Sequence, residues 1–249
     1  MSSEKASAIV LKSTEFSETS SVVTLFTREF GKVRALAKGA RRPKGPFEAA
    51  LDLLGLCRIV FLRKSSEGLD LLTEAKLERR FRPADGALAN LYAGYYVAEL
   101  LNELTDDYDS HPELFDAADR TLAALRTSRA IAPILLRFEL TALRELGHLP
   151  SLATCADCGR SIDPAGRVPF SQAAGGVLCK ACRPGQRQII SISPTAHQAL
   201  VRFSASVEAQ DLEVDSRVYG ELRAVLNHYW THLLGHPARM QRYLSTTTD

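Results

Sequence analysis

The chain has 249 residues, 45% of them hydrophobic and 24% charged, with a formal net charge of +2, the composition of a globular protein with material for two or three small domains. No segment approaches the roughly 20 consecutive apolar residues that span a bilayer, and the polar N-terminus MSSEKASA lacks the apolar stretch of a signal peptide, so we expect a cytoplasmic protein with no membrane partner. Five cysteines, four of them in CxxC pairs, fit a reducing compartment and a metal better than a secreted disulfide framework.

Residues 1–78 read as β. Five β-prone runs, Ser7 to Lys12, Ser21 to Thr27, Lys32 to Lys38, Leu51 to Arg63 and Leu69 to Glu78, are separated by EFSET, REFGK, a basic loop and KSSEG. Alternation of Leu69, Leu71, Thr73, Ala75 and Leu77 with mostly polar neighbours marks a half-buried strand. Five short strands without a long intervening helix predict a small Greek-key barrel of the OB-fold kind, a frequent carrier of single-stranded nucleic acid sites.

After Arg82-Pro83-Ala84-Asp85 the period becomes helical, with Leu88, Leu91, Tyr92, Tyr95, Leu101 and Leu104 on one stripe and Asp85 placed to cap the start. Ser110-His111-Pro112 opens a second helix running to about Arg126, and a third spans roughly Ala130 to Leu146, ending at Gly147. Residues 151–188 are rich in cysteine and glycine with little periodicity. Helix returns at Ser193-Pro194 and again from about Asp215 to Leu234. The expected fold class is α+β multidomain: an OB-fold β-barrel at 1–80, then an α-helical domain in two parts (81–150 and 189–249) that carries a zinc-finger element at 151–188.

The charge is unevenly spread. Residues 28–45 hold Arg28, Lys32, Arg34, Lys38, Arg41, Arg42 and Lys44 against the single acid Glu29, a local net charge of +6, so the other residues together carry −4. A local positive field attracts polyanions. Pro43, Gly45 and Pro46 forbid a regular element, which displays Lys38, Arg41, Arg42 and Lys44 on a loop. Along the preceding strand Arg34, Leu36 and Lys38 share one face and Val33, Ala35 and Ala37 the other. A positive strand face beside a positive loop is a track for a phosphate backbone with no base-specific reading; the plainer alternative is a solubilising patch. Few aromatics flank it: Phe30 and Phe47, both of which suit a core.

Cys155-x2-Cys158 and Cys179-x2-Cys182, twenty residues apart, have the spacing of a four-thiolate structural zinc site. Gly159 suits the turn after Cys158. The segment between the pairs holds too few apolar residues to bury a core alone, so metal cross-linking would supply its folding free energy. A closed site of this kind is not catalytic. Arg160, Arg167, Lys180, Arg183 and Arg187 surround it, either as phosphate contacts or as a solvated surface. Cys57 reads as a small core residue. His228, His232 and His236 recur every four residues, but no Glu follows the first His and Gly235-Pro237 breaks the helix, so a second metal site is disfavoured. Asp106-Asp107-Tyr108-Asp109 reads as a solvated linker, not a calcium loop. Neither GxxxxGK[ST] nor GxSxG is present.

The run VVTLFTREFGKVRALAKGARRPKGPFEAALDLL, residues 22–54, resembles the N-terminal region of the bacterial RecO recombinational repair family, with its FGK-type turn and KGARR basic loop. The likeness continues more loosely through YYVAELLNELT at 95–105, PELFD at 112–116, RFELTALRELGHLP at 137–150 and the CxxC pairs. It implies an OB-fold domain, a helical domain and a zinc element in a non-enzymatic protein of DNA repair, DNA recombination and the DNA damage response. Such a protein binds single- and double-stranded DNA, anneals complementary strands, and works with RecR and single-stranded-DNA-binding protein in loading RecA, in a bacterial cytoplasm and on the nucleoid when active. Lys38, Arg41 and Arg42 match the DNA-contacting KGARR motif, and our charge argument adds Arg34 and Lys44. Cys155, Cys158, Cys179 and Cys182 match the zinc ligands, and their absence from some relatives favours a structural role. The resemblance also implies a groove in the helical domain for the tail of single-stranded-DNA-binding protein, to which we assign no residues. Two rival readings use the same features: a zinc-containing RNA-binding protein, and a protein-interaction adaptor whose loop binds an acidic tail.

Overall fold

The computed structural model describes residues 2–42, 47, 50–64, 68–83, 87–128, 130–162, 165–205 and 215–244. The chain divides into two compact units, 1–129 and 130–249.

The first unit is built on β1 (Ser2–Glu15), β2 (Ser21–Thr27), β3 (Gly31–Ala37), β4 (Leu56–Arg63) and β5 (Asp70–Arg79). Neighbours run β1-β2-β3-β5-β4, and β4 returns to β1, closing the ring. All pairs are antiparallel except β3 with β5. The first part of β1 pairs with β4 from Ser2 to Ile9, and the later part with β2 from Ala8 to Glu15. A register shift between Val10 and Lys12 re-aims the strand between its two partners. This double duty explains why β1 is longer than the predicted Ser7 to Lys12. Leu51 to Gly55, expected as strand, is a turn: Leu54 has a positive φ of 63°, and its N–H donates to the Val10 carbonyl at 2.8 Å while Val10 donates to Gly55, so the segment plugs the irregular stretch of β1.

Alternation sets the core. Val33, Ala35 and Ala37 point inward with Val23, Leu25, Ile59, Phe61, Leu72 and Cys57, while Arg34 and Lys38 face out, as the strand period requires. The Cys57 thiol, buried among these residues, is pushed up to about 12 by desolvation and secondarily by Glu78, which makes it an inert core group.

Helices α1 (Leu88–Leu104) and α2 (Pro112–Leu125) complete this unit. The expected cap at Asp85 lies outside the described residues. A Cβ on Gly94 would lie 2.7 Å from the Phe81 ring, so the glycine lets α1 approach the barrel, and Phe26 of β2 meets Phe115 of α2 with ring centroids 6.1 Å apart. Pro112 opens α2 as predicted, but the cap position is His111; Ser110 instead donates its hydroxyl to the Arg28 carbonyl.

The second unit contains α3 (Ile131–Glu145), β6 (Val168–Ser171), β7 (Gly176–Val177), β8 (Ile189–Ile192), α4 (Pro194–Ala205), α5 (Ser216–Leu234) and the short α6 (Gln241–Leu244). The three strands form a sheet in the order β7-β6-β8, with β6 and β7 inside the stretch 151–188 that shows little periodicity and β8 directly after it. Asp215 caps α5, accepting from the Val218 N–H at 2.8 Å, and Gly235 ends it in the left-handed conformation. At the centre, the fully buried Glu139 of α3 receives both guanidinium nitrogens of Arg223 and the indole N–H of Trp230 at 3.1 Å, both from α5. No described helix is long and apolar enough to cross a membrane.

Candidate nucleic-acid interface and candidate metal centre

The six described cations of residues 28–45 do three different things. Arg28 makes a two-pronged pair with Asp116 of α2 at 2.9 and 3.0 Å, which lowers the Asp116 carboxyl chiefly through those hydrogen bonds. Lys32 donates its ammonium to the carbonyls of Asn102 and Thr105 at the end of α1, where a cation offsets the helix dipole. Both therefore hold helices to the barrel.

Arg34 and Arg41 are paired but exposed. Arg34 meets Asp107 at 2.7 Å, and Arg41 meets Glu15 at 2.9 Å. Exposed pairs of this kind contribute about 0–1 kcal/mol, so a phosphate can take the place of the carboxylate at little cost. Lys38 and Arg42 are exposed and, among the described residues, have no ionic partner. Lys44, with Pro43, Gly45 and Pro46, lies outside the described residues.

The turn that carries Lys38, Arg41 and Arg42 is held by its backbone. Gly39 sits at φ 77°, Arg42 N–H donates to the Gly39 carbonyl at 3.1 Å, and Arg41 N–H donates to the Thr19 carbonyl at 3.1 Å. The Arg41 guanidinium also donates to the Ser17 carbonyl at 3.1 Å. The positive turn is thus strapped to the tip of the β1–β2 hairpin. Phe30 packs edge-on to Phe61 at 5.6 Å and Phe47 is buried, so neither aromatic that flanks the basic segment in sequence is presented outward.

The acidic stretch 106–109 is a linker between α1 and α2 whose three aspartates are exposed, as expected, but it is also pinned to the barrel. Asp107 bridges to Lys32 through backbone and Tyr108 N–H donates to the Lys32 carbonyl at 2.9 Å. The Tyr108 hydroxyl reaches the buried Asp70, and Arg63 stacks over its ring at 4.0 Å. Gly31 admits this contact, because a Cβ there would sit 1.8 Å from the Asp109 carbonyl oxygen. The sequence signal was present in the glycine of FGK, but its partner is 78 positions away and has no local mark.

In the second unit the four sulfurs of Cys155, Cys158, Cys179 and Cys182 lie within 4.8 Å of one another and could hold a metal ion. They are free thiols. Cys158 and Cys179 are 3.7 Å apart, close to the edge of about 3.8 Å that a tetrahedron of sulfurs has around an ion at about 2.3 Å. Gly159 takes φ 72° after the first pair, as its place in the turn requires. Burial raises the Cys155 thiol, but N–H groups of Cys179, Cys158 and Asp157 outweigh it and hold it at about 6. The Cys182 N–H leads in lowering Cys179, and Cys182 is pushed up by Asp157 and by its sulfur neighbours. Four thiolates repel, and a cation among them relieves that repulsion.

This element also buries more than its composition suggested. Val168, Phe170, Val177 and Leu178 are all inside, and Phe170 packs edge-on to Tyr229 of α5 at 5.7 Å. His228 and His232 lie on α5 beside a cleft of about 810 Å3 that Arg239 and Arg242 also line. His236 follows the α5 cap at Gly235. Among the described residues, the four cysteines are the group of three or more that could bind a metal.

Compared with known proteins, residues 1–81 match the family described as Recombination protein O N terminal, and residues 86–242 match Recombination protein O C terminal. A protein of Rhodopirellula baltica named DNA repair protein RecO is 40% identical, covering 97% of this chain and 99% of its own. Proteins of the same name from Anaeromyxobacter dehalogenans and Myxococcus xanthus are 33% and 34% identical, over 96% and 92% of this chain and 95% and 91% of theirs.

Proposed function

The chain belongs to the RecO family of DNA repair proteins, and from that membership we propose that it is a mediator of recombinational repair that binds single- and double-stranded DNA and anneals complementary strands. With RecR, it helps load RecA on DNA coated by single-stranded-DNA-binding protein. We read the five-stranded ring as an OB-fold, residues 1–80 as the DNA-binding domain, 81–150 and 189–249 as the two parts of the helical domain, and 151–188 as a zinc-finger element. The setting is the bacterial cytoplasm, on the nucleoid when active.

The observation that carries the reading is the outer face of β3 with its following turn. Arg34, Lys38, Arg41 and Arg42 all face solvent there, on a backbone pinned at Gly39 and Thr19, and Lys44 follows two positions later in the sequence. Phosphates that replace Asp107 and Glu15 on Arg34 and Arg41 lose little, while Lys38 and Arg42 need no exchange. Neutralising phosphates on two strands lowers their mutual repulsion and raises their local concentration, and base pairing then supplies the sequence recognition. Annealing needs no bond-making residue, so the protein acts without enzymatic chemistry.

The four cysteines would hold Zn2+, whose contribution is to cross-link the two CxxC turns. Cys155 is the buried ligand of the set, and its sulfur accepts the Cys179 N–H at 3.3 Å, so one pair is already tied to the other by backbone.

The test is annealing of complementary oligonucleotides coated with the host's single-stranded-DNA-binding protein, by the native chain and by the Arg41→Ala, Arg42→Ala, Lys44→Ala triple variant. The reading expects acceleration by the native chain and its loss in the variant. Equal annealing by both would move the DNA site elsewhere, no annealing by either would favour the adaptor, and a preference for RNA of equal sequence would favour the RNA-binding protein.

A further inference from the structure

Three large apolar side chains among the described residues are substantially exposed: Phe16 (63%), Leu88 (54%) and Leu53 (43%). Phe16 is the aromatic one, and it occupies the β1–β2 turn, where the other residues are polar or charged. A phenylalanine left in water there gains nothing from packing. A flat apolar ring offered to solvent is what an unpaired nucleobase stacks upon.

Hydrogen bonds tie the hairpin tip that carries Phe16 to the basic turn. The Phe16 and Ser17 N–H groups both donate to the Ser20 carbonyl, at 3.0 and 3.2 Å, which closes the hairpin tip. Arg41 then contacts the residues on either side of Phe16: its guanidinium pairs with Glu15 at 2.9 Å and donates to the Ser17 carbonyl at 3.1 Å. Its backbone N–H adds a third strap, to Thr19. The hairpin tip that carries Phe16 and the cationic turn are therefore neighbours, and the two bonds from Arg41 to the Ser17 and Thr19 carbonyls remain when a phosphate replaces Glu15. Phe30 and Phe47 cannot play this part, since both are committed to the barrel core.

We propose that Phe16 is a nucleobase-stacking residue that makes this site prefer unpaired strands over duplex. The inference rests on the DNA-binding reading above and adds a division of labour to it. Lys38, Arg41 and Arg42 attract any phosphate backbone. Phe16 needs the open face of a base, which a single strand offers and an intact duplex keeps covered by its neighbouring pairs. Because stacking releases no phosphate counterions, Phe16 contributes affinity without contributing to the salt dependence.

The experiment compares native chain, Phe16→Ala and Phe16→Trp in binding to oligo(dT), to an abasic strand of equal length and to a duplex, by fluorescence anisotropy over a salt series. Phe16→Ala is expected to weaken oligo(dT) binding by at least about fivefold, with an unchanged salt slope, unchanged unfolding temperature and duplex affinity within about twofold. Native chain and Phe16→Ala should bind the abasic strand equally, and Phe16→Trp should restore oligo(dT) affinity. Equal oligo(dT) affinity for native and Phe16→Ala would overturn the inference while leaving the DNA-binding reading in place. Equal losses on oligo(dT), abasic strand and duplex would also overturn it, because that pattern reports a displaced Arg41 instead of a lost stack. A native chain that binds none of the three would overturn both.

Discussion

The two units of this protein use arginine–carboxylate pairs in opposite ways. On the barrel, Arg34–Asp107 and Arg41–Glu15 sit in solvent, with the Glu15 side chain 73% exposed. In the second unit, Arg223 meets a Glu139 that is wholly buried and further fixed by Trp230. Water screens the first kind, so breaking it costs about 0–1 kcal/mol. The second kind has been stripped of water, so removing one partner strands a charge at about 3–5 kcal/mol. Pairs that exchange cheaply suit a surface that must accept a ligand's phosphates, whereas a buried pair commits two helices to one packing. The cysteine cluster stands between the two patterns: Cys155 is buried, Cys179 and Cys182 are half-buried and Cys158 is exposed, with the four sulfurs within 4.8 Å of one another.

This contrast can be broken at several points. The largest effect should come from metal removal: with zinc bound as proposed, a strong chelator, or Cys155→Ser with Cys182→Ser, should release one ion per chain and unfold the segment around β6 to β8, with a binding free energy on the order of 10 kcal/mol at stake. Metal analysis and protection of the Val168 to Ser171 amides would register it, and an unchanged amide pattern would mean that the packing of Phe170 on Tyr229 suffices. Next, Glu139→Gln should cost about 3–5 kcal/mol in urea unfolding. Trp230, the sole tryptophan and almost fully buried, reports that transition directly.

Smaller effects sharpen the surface side of the comparison. Asp107→Asn frees Arg34 without touching a core residue. It should change stability by no more than about 1 kcal/mol and tighten DNA binding by roughly two- to fivefold at low salt, since one more cation is released for phosphate; weaker binding would place Arg34 outside the site. The smallest is a pH effect. Arg28 lowers the Asp116 carboxyl, so this pair stabilises the α2 contact fully above the ordinary carboxylate value of about 3.9 and loses that contribution as pH falls below it through the lowered folded value. Hydrogen-exchange protection in α2 of the native chain, taken relative to the intrinsic exchange rate at each pH, should fall below about pH 4, and that fall should be absent from Asp116→Asn.

Much of this organisation was legible in the chain. The five strands, the opening at Pro112, the Asp215 cap and the Gly235 stop all follow from local rules, as do the outward Arg34 and Lys38 and the gathering of four thiols. What was not legible depends on distant partners. No local signal told that β1 would run on to serve both β2 and β4, or that Leu51 to Gly55 would fold under its bulge. Nor could spacing show that Arg28 and Lys32 would be spent on α2 and α1, or that Tyr108 would pin the acidic stretch to Asp70. The sheet of β6 to β8 was hidden because two-to-four-residue strands are too short to establish a period. Phe16 was visible as an aromatic in a polar turn, but the bonds from Arg41 to its neighbours Glu15, Ser17 and Thr19 are tertiary contacts.

The central claim is that the β3 face and its turn contact the phosphate backbone, and salt dependence counts such contacts. Binding of a single-stranded oligonucleotide should be followed from low to moderate salt for the native chain and the Arg41→Ala, Arg42→Ala, Lys44→Ala variant, with unfolding curves confirming that both are folded. Three lost contacts at about 0.7 each should reduce the slope of log K against log salt by about 2 and weaken binding to all sequences alike. An unchanged slope and affinity in the variant would contradict the claim and place the DNA site elsewhere on the protein.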